Sequence, residues 1–235
     1  MMAIMWIMTA IFIVIASVII YGQIRSARIY RELLESVTSL DRGNRAERDL
    51  VVALLKAGIA PGAIFHDLYV KKSNGGFSQI DLVVATKSGI IVFEVKDYSG
   101  WIFGNGNQTN WTQVLAYGNW KFRFYNPVKQ NQGHIRHLRE SLGENVPFYS
   151  VILFSGNCHL RDISSVPQGT TIVKPRQVSD VVSGIINDNE PANYTDKRRV
   201  VAVLKQAVEN GNLEGIEDQH IDNVRNMLRQ NRNYH

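Results

Sequence analysis

The stretch FSQIDLVVATKSGIIVFEVK, residues 77–96, decides the fold. Two runs rich in β-branched and apolar residues, Phe77 to Thr86 and Ile90 to Lys96, are separated by the turn-forming Lys87-Ser88-Gly89, so the spacing predicts an antiparallel hairpin. Side chains two apart on a strand share a face, which puts Glu94 and Lys96 on one side and Val95 on the other. With a two-residue loop at Ser88-Gly89, Asp81 lies directly across from Lys96 and Glu94 sits diagonally beside it. An odd loop without a bulge would turn Asp81 to the opposite face.

Outward from the hairpin, helices and strands alternate. Ala46, Leu50, Ala53, Leu54 and Ala57 recur at helical spacing over Arg45 to Ala57, ended by Gly58 and Pro61, and a strand follows near Ala63 to Val70. Downstream, the pattern predicts a helix over Pro127 to Leu142, strands at Phe148 to Ser155 and Thr170 to Val173, and helices over Arg176 to Ile186, Asp196 to Glu209 and Asp218 to Arg229. The order predicts an α/β or α+β domain.

If Asp81 and Glu94 share a face, their charges repel, and Lys96 offsets part of that. A hard divalent ion held by carboxylate oxygen, with several waters kept, satisfies the rest; Mg²⁺ suits this description, with Mn²⁺ as the alternative. Such an ion stabilises charge on phosphate oxygen and acidifies a bound water, and a nearby lysine orients or deprotonates that water. The chemistry implied is phosphodiester hydrolysis; the plainer reading is a surface strand with a salt-bridged Glu94 and Lys96. Glu47, on the border of the first helix's apolar stripe, is either a third acid of the metal site or a boundary side chain whose head reaches water or pairs with an arginine.

These residues resemble the nuclease-related domain (NERD) family, a branch of the PD-(D/E)XK nuclease superfamily. The resemblance rests on Gly43-Asn44-Arg45-Ala46-Glu47, on Gln79-Ile80-Asp81, on Ser88-Gly89-Ile90-Ile91-Val92-Phe93-Glu94-Val95-Lys96 with the trailing Gly100, and on Asn126-Pro127-Val128-Lys129-Gln130 with His134. It runs from about Gly43 to Leu142 and more weakly to Leu204. It implies a restriction-endonuclease-like mixed β-sheet flanked by helices, metal binding by Asp81 and Glu94, water handling by Lys96, assistance from Glu47, and Gln130 beside the site. Ala46 stands where the family often has glycine, a small-for-small change. By periodicity alone, Gln130, His134 and His137 lie opposite the apolar stripe of Val128, Ile135, Leu138 and Leu142; a solvated or core-edge place suits both histidines, with phosphate contact by His134 the functional alternative.

Tyr98 to Tyr125 is dense in aromatic residues and contains no acid. Lys121 and Arg123 alternate with Trp120, Phe122 and Phe124, so a strand here has one aromatic and one basic face. We expect the aromatic face to be ordinary core and Lys121 and Arg123 to stay exposed, where they can meet nucleic-acid phosphate; the functional alternative is an aromatic surface that stacks bases and guides a nucleic-acid strand beside the site. Asn105, Asn107, Gln108 and Asn110 around two glycines predict a mobile loop tip.

Met1 to Tyr21 is apolar except for Thr9 and Ser17 and, as a helix, reaches about 30 Å, enough to span a bilayer. No basic residue precedes it, which disfavours a signal peptide, while Arg25, Arg28 and Arg31 follow it and place the C-terminal domain in the cytoplasm of a single-pass cell-membrane protein. The expected organisation is a transmembrane helix over 1–23, a juxtamembrane linker or short amphipathic continuation over 24–42, a nuclease-like domain over 43–204 and a helical tail over 205–235.

The remaining composition fits. The chain has 26 basic and 21 acidic residues, a net charge of +5, all of it after Tyr21. That mild excess suits a polyanion or an anionic bilayer. A single cysteine, Cys158, excludes an intramolecular disulfide framework and multi-cysteine metal sites; beside His159 it reads as structural, not as a thiol catalyst. Lys197-Arg198-Arg199 reads as a solvated helix start. The function expected is a membrane-anchored, Mg²⁺-dependent nuclease acting on DNA, with RNA left open; the alternatives are a catalytically silent nucleic-acid-binding tether and a protein scaffold docking through residues 193–235.

Overall fold

A computed structural model describes residues 2–213 apart from Asn74; the helix expected over Asp218 to Arg229 lies outside the described residues. Helix α1, Met2–Glu35, begins the chain. Its part from Ile4 onward is long and apolar enough, by length and composition, to cross a membrane, and none of its most apolar stretch is buried in the protein. The helix does not stop at the end of that stretch. It runs on into the stretch expected as linker or continuation as far as Glu35, and near its end Leu34 is fully buried while Tyr30 and Leu33 pack against the core.

The hairpin strands β2 (Phe77–Thr86) and β3 (Gly89–Lys96) lie within a five-stranded mixed sheet. With β1 (Ile64–Lys71), β7 (Phe148–Phe154) and β9 (Thr170–Val173) the strand order is β1-β2-β3-β7-β9, antiparallel from β1 to β3 and parallel from β3 to β9. Parallel neighbours need a long crossover. Between β3 and β7 it is made by most of a second sheet and helix α3, Pro127–Leu142.

That second sheet has the order β6-β5-β4-β8, from β4 (Gly100–Asn105), β5 (Asn110–Leu115), β6 (Trp120–Tyr125) and β8 (Cys158–Ser164). Gly100 opens it at φ 77°, pressed against the Val114 carbonyl where a Cβ has no room. Trp111 stacks on Phe154 at a centroid distance of 6.1 Å, which joins the two sheets through a small core that includes Ile102, Val128 and Cys158.

Three helices share one apolar layer of the first sheet: the end of α1, α2 (Arg45–Lys56) and α4 (Val178–Asn187), over Phe93, Ile91 and Val151. The other layer holds α3 and α5 (Lys197–Asn210), over Val92, Ile90 and Val83. Central β3 is thus buried on both faces, as parallel neighbours require.

Candidate active site

The hairpin loop is Lys87-Ser88, not Ser88-Gly89, because Gly89 already pairs with Thr86. Gly89 sits at φ 139° against the Pro147 carbonyl, a place no side chain fits. The pairs run from Thr86↔Gly89 to Leu82↔Phe93, so Asp81 is next in register with Glu94, and Lys96 is the diagonal neighbour. The expected register was two residues off, which keeps the loop even and all three side chains on one face.

Beyond Leu82 the ladder stops, and the Asp81 side chain replaces the missing strand bond: its Oδ2 accepts the Val95 N–H at 2.7 Å. Glu94 is buried beside it. Lys96 Nζ lies 2.5 Å from Glu94 Oε1 and donates to Gln130 Oε1 at 3.1 Å. Helix α3 also supplies His134, whose Nδ1 is 2.9 Å from Ser78 Oγ and whose Nε2 is 3.2 Å from Glu94 Oε2. Gln130 and His134 therefore face these charged groups, the side of the helix that periodicity left open between solvent and ligand.

Glu47 is buried and closes a capping box at the start of α2, where Asn44 accepts the Ala46 and Glu47 amide hydrogens and its side-chain amide donates to Glu47. Gly43, at φ 60°, leaves the space that Glu47 Oε2 and the His66 ring occupy. The plainer expectation, a head in water or paired with an arginine, is replaced: Glu47 meets His66, with Nε2 to Oε2 at 3.4 Å, and its charge reaches Asp81.

His66 and Asp67 were missed by sequence reasoning. His66 is buried and its Nδ1 lies 2.9 Å from Thr38 Oγ1, just past the end of α1. Asp67 stands at φ 54° within β1, a conformation Asp tolerates better than most residues, and accepts from Arg42 Nε at 3.2 Å and Gln79 Nε2 at 2.8 Å. The Gln79 of the sequence motif is thus a brace for the backbone kink beside Asp81. Asn131, also missed, is buried under the site, donating to the Val92 carbonyl and to Ser150 Oγ, both at 2.9 Å. An Asp or Asn at a helical or strand position gives no such signal before the fold brings its partners near.

The electrostatics separate the two acids of the hairpin. Burial, then the Glu94 and Glu47 carboxylates, push Asp81 well above the ordinary carboxyl range, against the pull of Lys96 and the Val95 N–H. For Glu94 burial works the same way but is outweighed by Lys96 and His134, and its pKa falls below the ordinary value. Burial opposes the charge on Lys96 as well; Glu94 and Asp81 overcome it and hold the ammonium form. At neutral pH the resting set is an ionised Glu94, a protonated Lys96, and an Asp81 that resists giving up its proton.

Residues 42–155 match the family profile described as nuclease-related domain. The likeness to this family lies in that segment, just under half of the chain. Glu47, Asp81, Glu94, Lys96, Gln130 and His134 all fall inside it, while β9, α4 and α5 lie beyond its end. Over 101 residues the chain is 32% identical to an uncharacterized protein of Bacillus anthracis; the aligned stretch is 43% of this chain and 47% of that protein, so the chain spans about half the length of the relative it matches. No solved structure matches the chain.

The expected nucleic-acid contacts divide. Lys121 and Arg123 are exposed on β6, whereas His134 is engaged with Ser78 and Glu94. The expectation that Trp120 and Phe122 are core is overturned: they are 63% and 49% exposed, and only Phe124 tucks in, against Tyr98 and Trp111. β6 is an edge strand beyond the small core, so alternation there does not imply burial. The turn after β4, expected as a loose tip, is tied by Asn126 Nδ2 to the carbonyls of Asn105, Gly106 and Gln108.

Proposed function

We propose that this nuclease-related domain hydrolyses phosphodiester bonds in DNA with the help of a divalent metal ion, Mg²⁺ or Mn²⁺. The reading is carried by one observation: two buried carboxylates, Asp81 and Glu94, crowd a single lysine on one face of the hairpin, and burial first, then the neighbouring carboxylates, raise the Asp81 pKa. Repulsion of this kind is what a bound dication relieves.

The donor set fits. Glu94 Oε2 has only the His134 ring at 3.2 Å beside it, and Asp81 uses only Oδ2 toward the backbone, which leaves oxygen lone pairs on both acids. Among the described residues no third His, Cys, Asp or Glu completes a ligand cluster, so water and phosphate oxygens would fill the other positions, the habit of Mg²⁺. When bound there, the ion supplies positive charge to the phosphate and a more acidic water. Lys96, held protonated by Glu94 and fixed by Gln130, presents N–H groups that orient the attacking water or a phosphate oxygen. His134 keeps Glu94 in place from the α3 side, and Glu47 sustains the negative field that discourages a free Asp81 anion. Lys121 and Arg123 supply phosphate contacts away from the reacting bond.

We place the domain on the cytoplasmic side of the cell membrane, tethered through α1, because Arg25, Arg28 and Arg31 follow the apolar span. The full-length protein in detergent, given single-stranded and duplex DNA with Mg²⁺, Mn²⁺ or EDTA, tests the chemistry. Cleavage that needs the metal and falls at least about a thousandfold in Asp81→Asn and Lys96→Ala is expected. DNA binding with no cleavage under any metal would overturn it.

A further inference from the structure

β6 is the outer strand of the second sheet, with β5 on its one paired side. It exposes two large aromatic rings, Trp120 and Phe122, and its other face carries exposed Lys121 and Arg123. A folded protein rarely leaves such rings adjacent on a strand edge without a partner. The strand itself is well held, because Phe124 packs edge-on to Tyr98 at 4.7 Å and to Trp111 at 6.3 Å. The rings therefore stand on a fixed support.

Charge selects the partner. From Tyr98 to Arg139 the chain contains no Asp or Glu, while Lys121, Arg123, Lys129, Arg136 and Arg139 all lie in this stretch. The one acid of this sheet, Asp162, lies on β8 at the edge opposite β6, so β6 pairs aromatic rings with cations, which is complementary to a polyanion with exposed π-faces; bases show those faces only when unpaired.

Position ties the strand to the candidate site. β6 passes through Asn126 into α3, and Asn126 is fully buried, capping α3 through Oδ1 while its Nδ2 pins the turn between β4 and β5. Gln130, four residues on, holds Lys96. The bilayer is the competing partner for aromatic and basic residues together. However, α1 ends in the layer of α2 and α4, whereas β6 is fastened to α3 in the opposite layer. Nucleic acid is the better fit.

We propose that β6 is a stacking platform for single-stranded nucleic acid: Trp120 and Phe122 receive unpaired bases, Lys121 and Arg123 take the phosphates, and the strand is led along α3 to Asp81, Glu94 and Lys96. The inference rests on the nuclease reading for its destination and on β6 alone for the binding.

The test is binding of a fluorescent oligo-dT and of a hairpin duplex to the full-length protein in nanodiscs, in EDTA so that no cleavage intervenes. Trp120→Ala and Phe122→Ala are each expected to weaken oligo-dT binding between about 5-fold and 150-fold, with duplex affinity and Tm unchanged. Phe122→Tyr restores binding, and Lys121→Gln with Arg123→Gln flattens its salt dependence. Intact oligo-dT affinity in both alanine variants overturns the platform, and overturns it in favour of the bilayer if, in a Trp6→Phe background that removes the tryptophan of the α1 span, quenching of tryptophan fluorescence by brominated lipid is lost on adding Trp120→Phe. If cleavage persists while those variants bind normally, the nuclease stands without the platform; if the variants lose oligo-dT and no substrate is cut, the platform stands without the nuclease.

Discussion

β3 and β6 are both strands with alternating side chains, and they meet opposite fates. β3 lies at the centre of its sheet between two helical layers, so Ile91 and Phe93 are buried on one face and Val92 and Glu94 on the other. β6 lies at the edge of its sheet, and most of its residues are exposed, aromatic and charged alike. The same two-residue period thus brings a carboxylate into the core in one strand and leaves a tryptophan in water in the other. A strand's place in the sheet, not its own pattern, decides which face is covered.

The largest test of that contrast pairs two phenylalanines. Phe93→Ala is expected to destabilise the protein by roughly 3–5 kcal/mol through lost burial and a cavity, whereas Phe122→Ala changes stability by less than about 0.5 kcal/mol. Urea unfolding of the two variants side by side measures both, and equal losses would break the comparison.

A smaller effect is expected at the charged end of the site. Asn44→Ala removes the cap of α2 and the brace on Glu47, at a cost of about 0.5–2 kcal/mol. The same substitution at an exposed β6 position, Lys121→Ala, should leave the melting curve in place, which a thermal shift assay would register.

The smallest shift has the most informative sign. Because the folded protein binds the Asp81 proton more tightly than the unfolded chain does, the wild type loses stability as pH rises above the ordinary carboxyl range. Asp81→Asn removes that penalty and should raise the metal-free Tm near neutral pH by about 2–4 °C, the size of a ~1 kcal/mol change in a domain of this length. The gain should shrink as pH falls into the ordinary carboxyl range, where Asp81 is protonated in both states. Mg²⁺ should raise the wild-type Tm but not that of Asp81→Asn. Melting curves in EDTA and in Mg²⁺ across pH distinguish this from a merely structural Asp81, for which the substitution would lower Tm throughout.

Much of the fold was legible from local patterns. The spacing places a helix over Pro127–Leu142 and strands over Phe77–Thr86 and Thr170–Val173, with the ends the structure shows. The later helices shift by a residue or two, because Pro175–Gln177 forms a short 3₁₀ turn before α4 and Asp196 caps α5 from outside. β4, β5 and β8 were not legible. They are short and mix polar with apolar residues, and β8 finds its place only by pairing with β4 across more than fifty residues of chain.

The candidate site divides in the same way. Asp81, Glu94 and Lys96 could be grouped from the hairpin because strand period and turn length are local properties. His66, Asp67 and Asn131 could not, since each is defined by partners far along the chain: Thr38 and Glu47, Arg42, and Val92 with Ser150.

By itself, then, the sequence determined the apolar first helix, the central hairpin and the common face of its charged residues, because hydropathy and side-chain period act over a few neighbours. Only the tertiary structure decided the register that sets Asp81 beside Glu94, the exposure of Trp120 and Phe122, and the burial that parts the two carboxyl pKa values. Those depend on which surfaces the chain brings together, and desolvation and packing are properties of that assembled surface rather than of any segment alone.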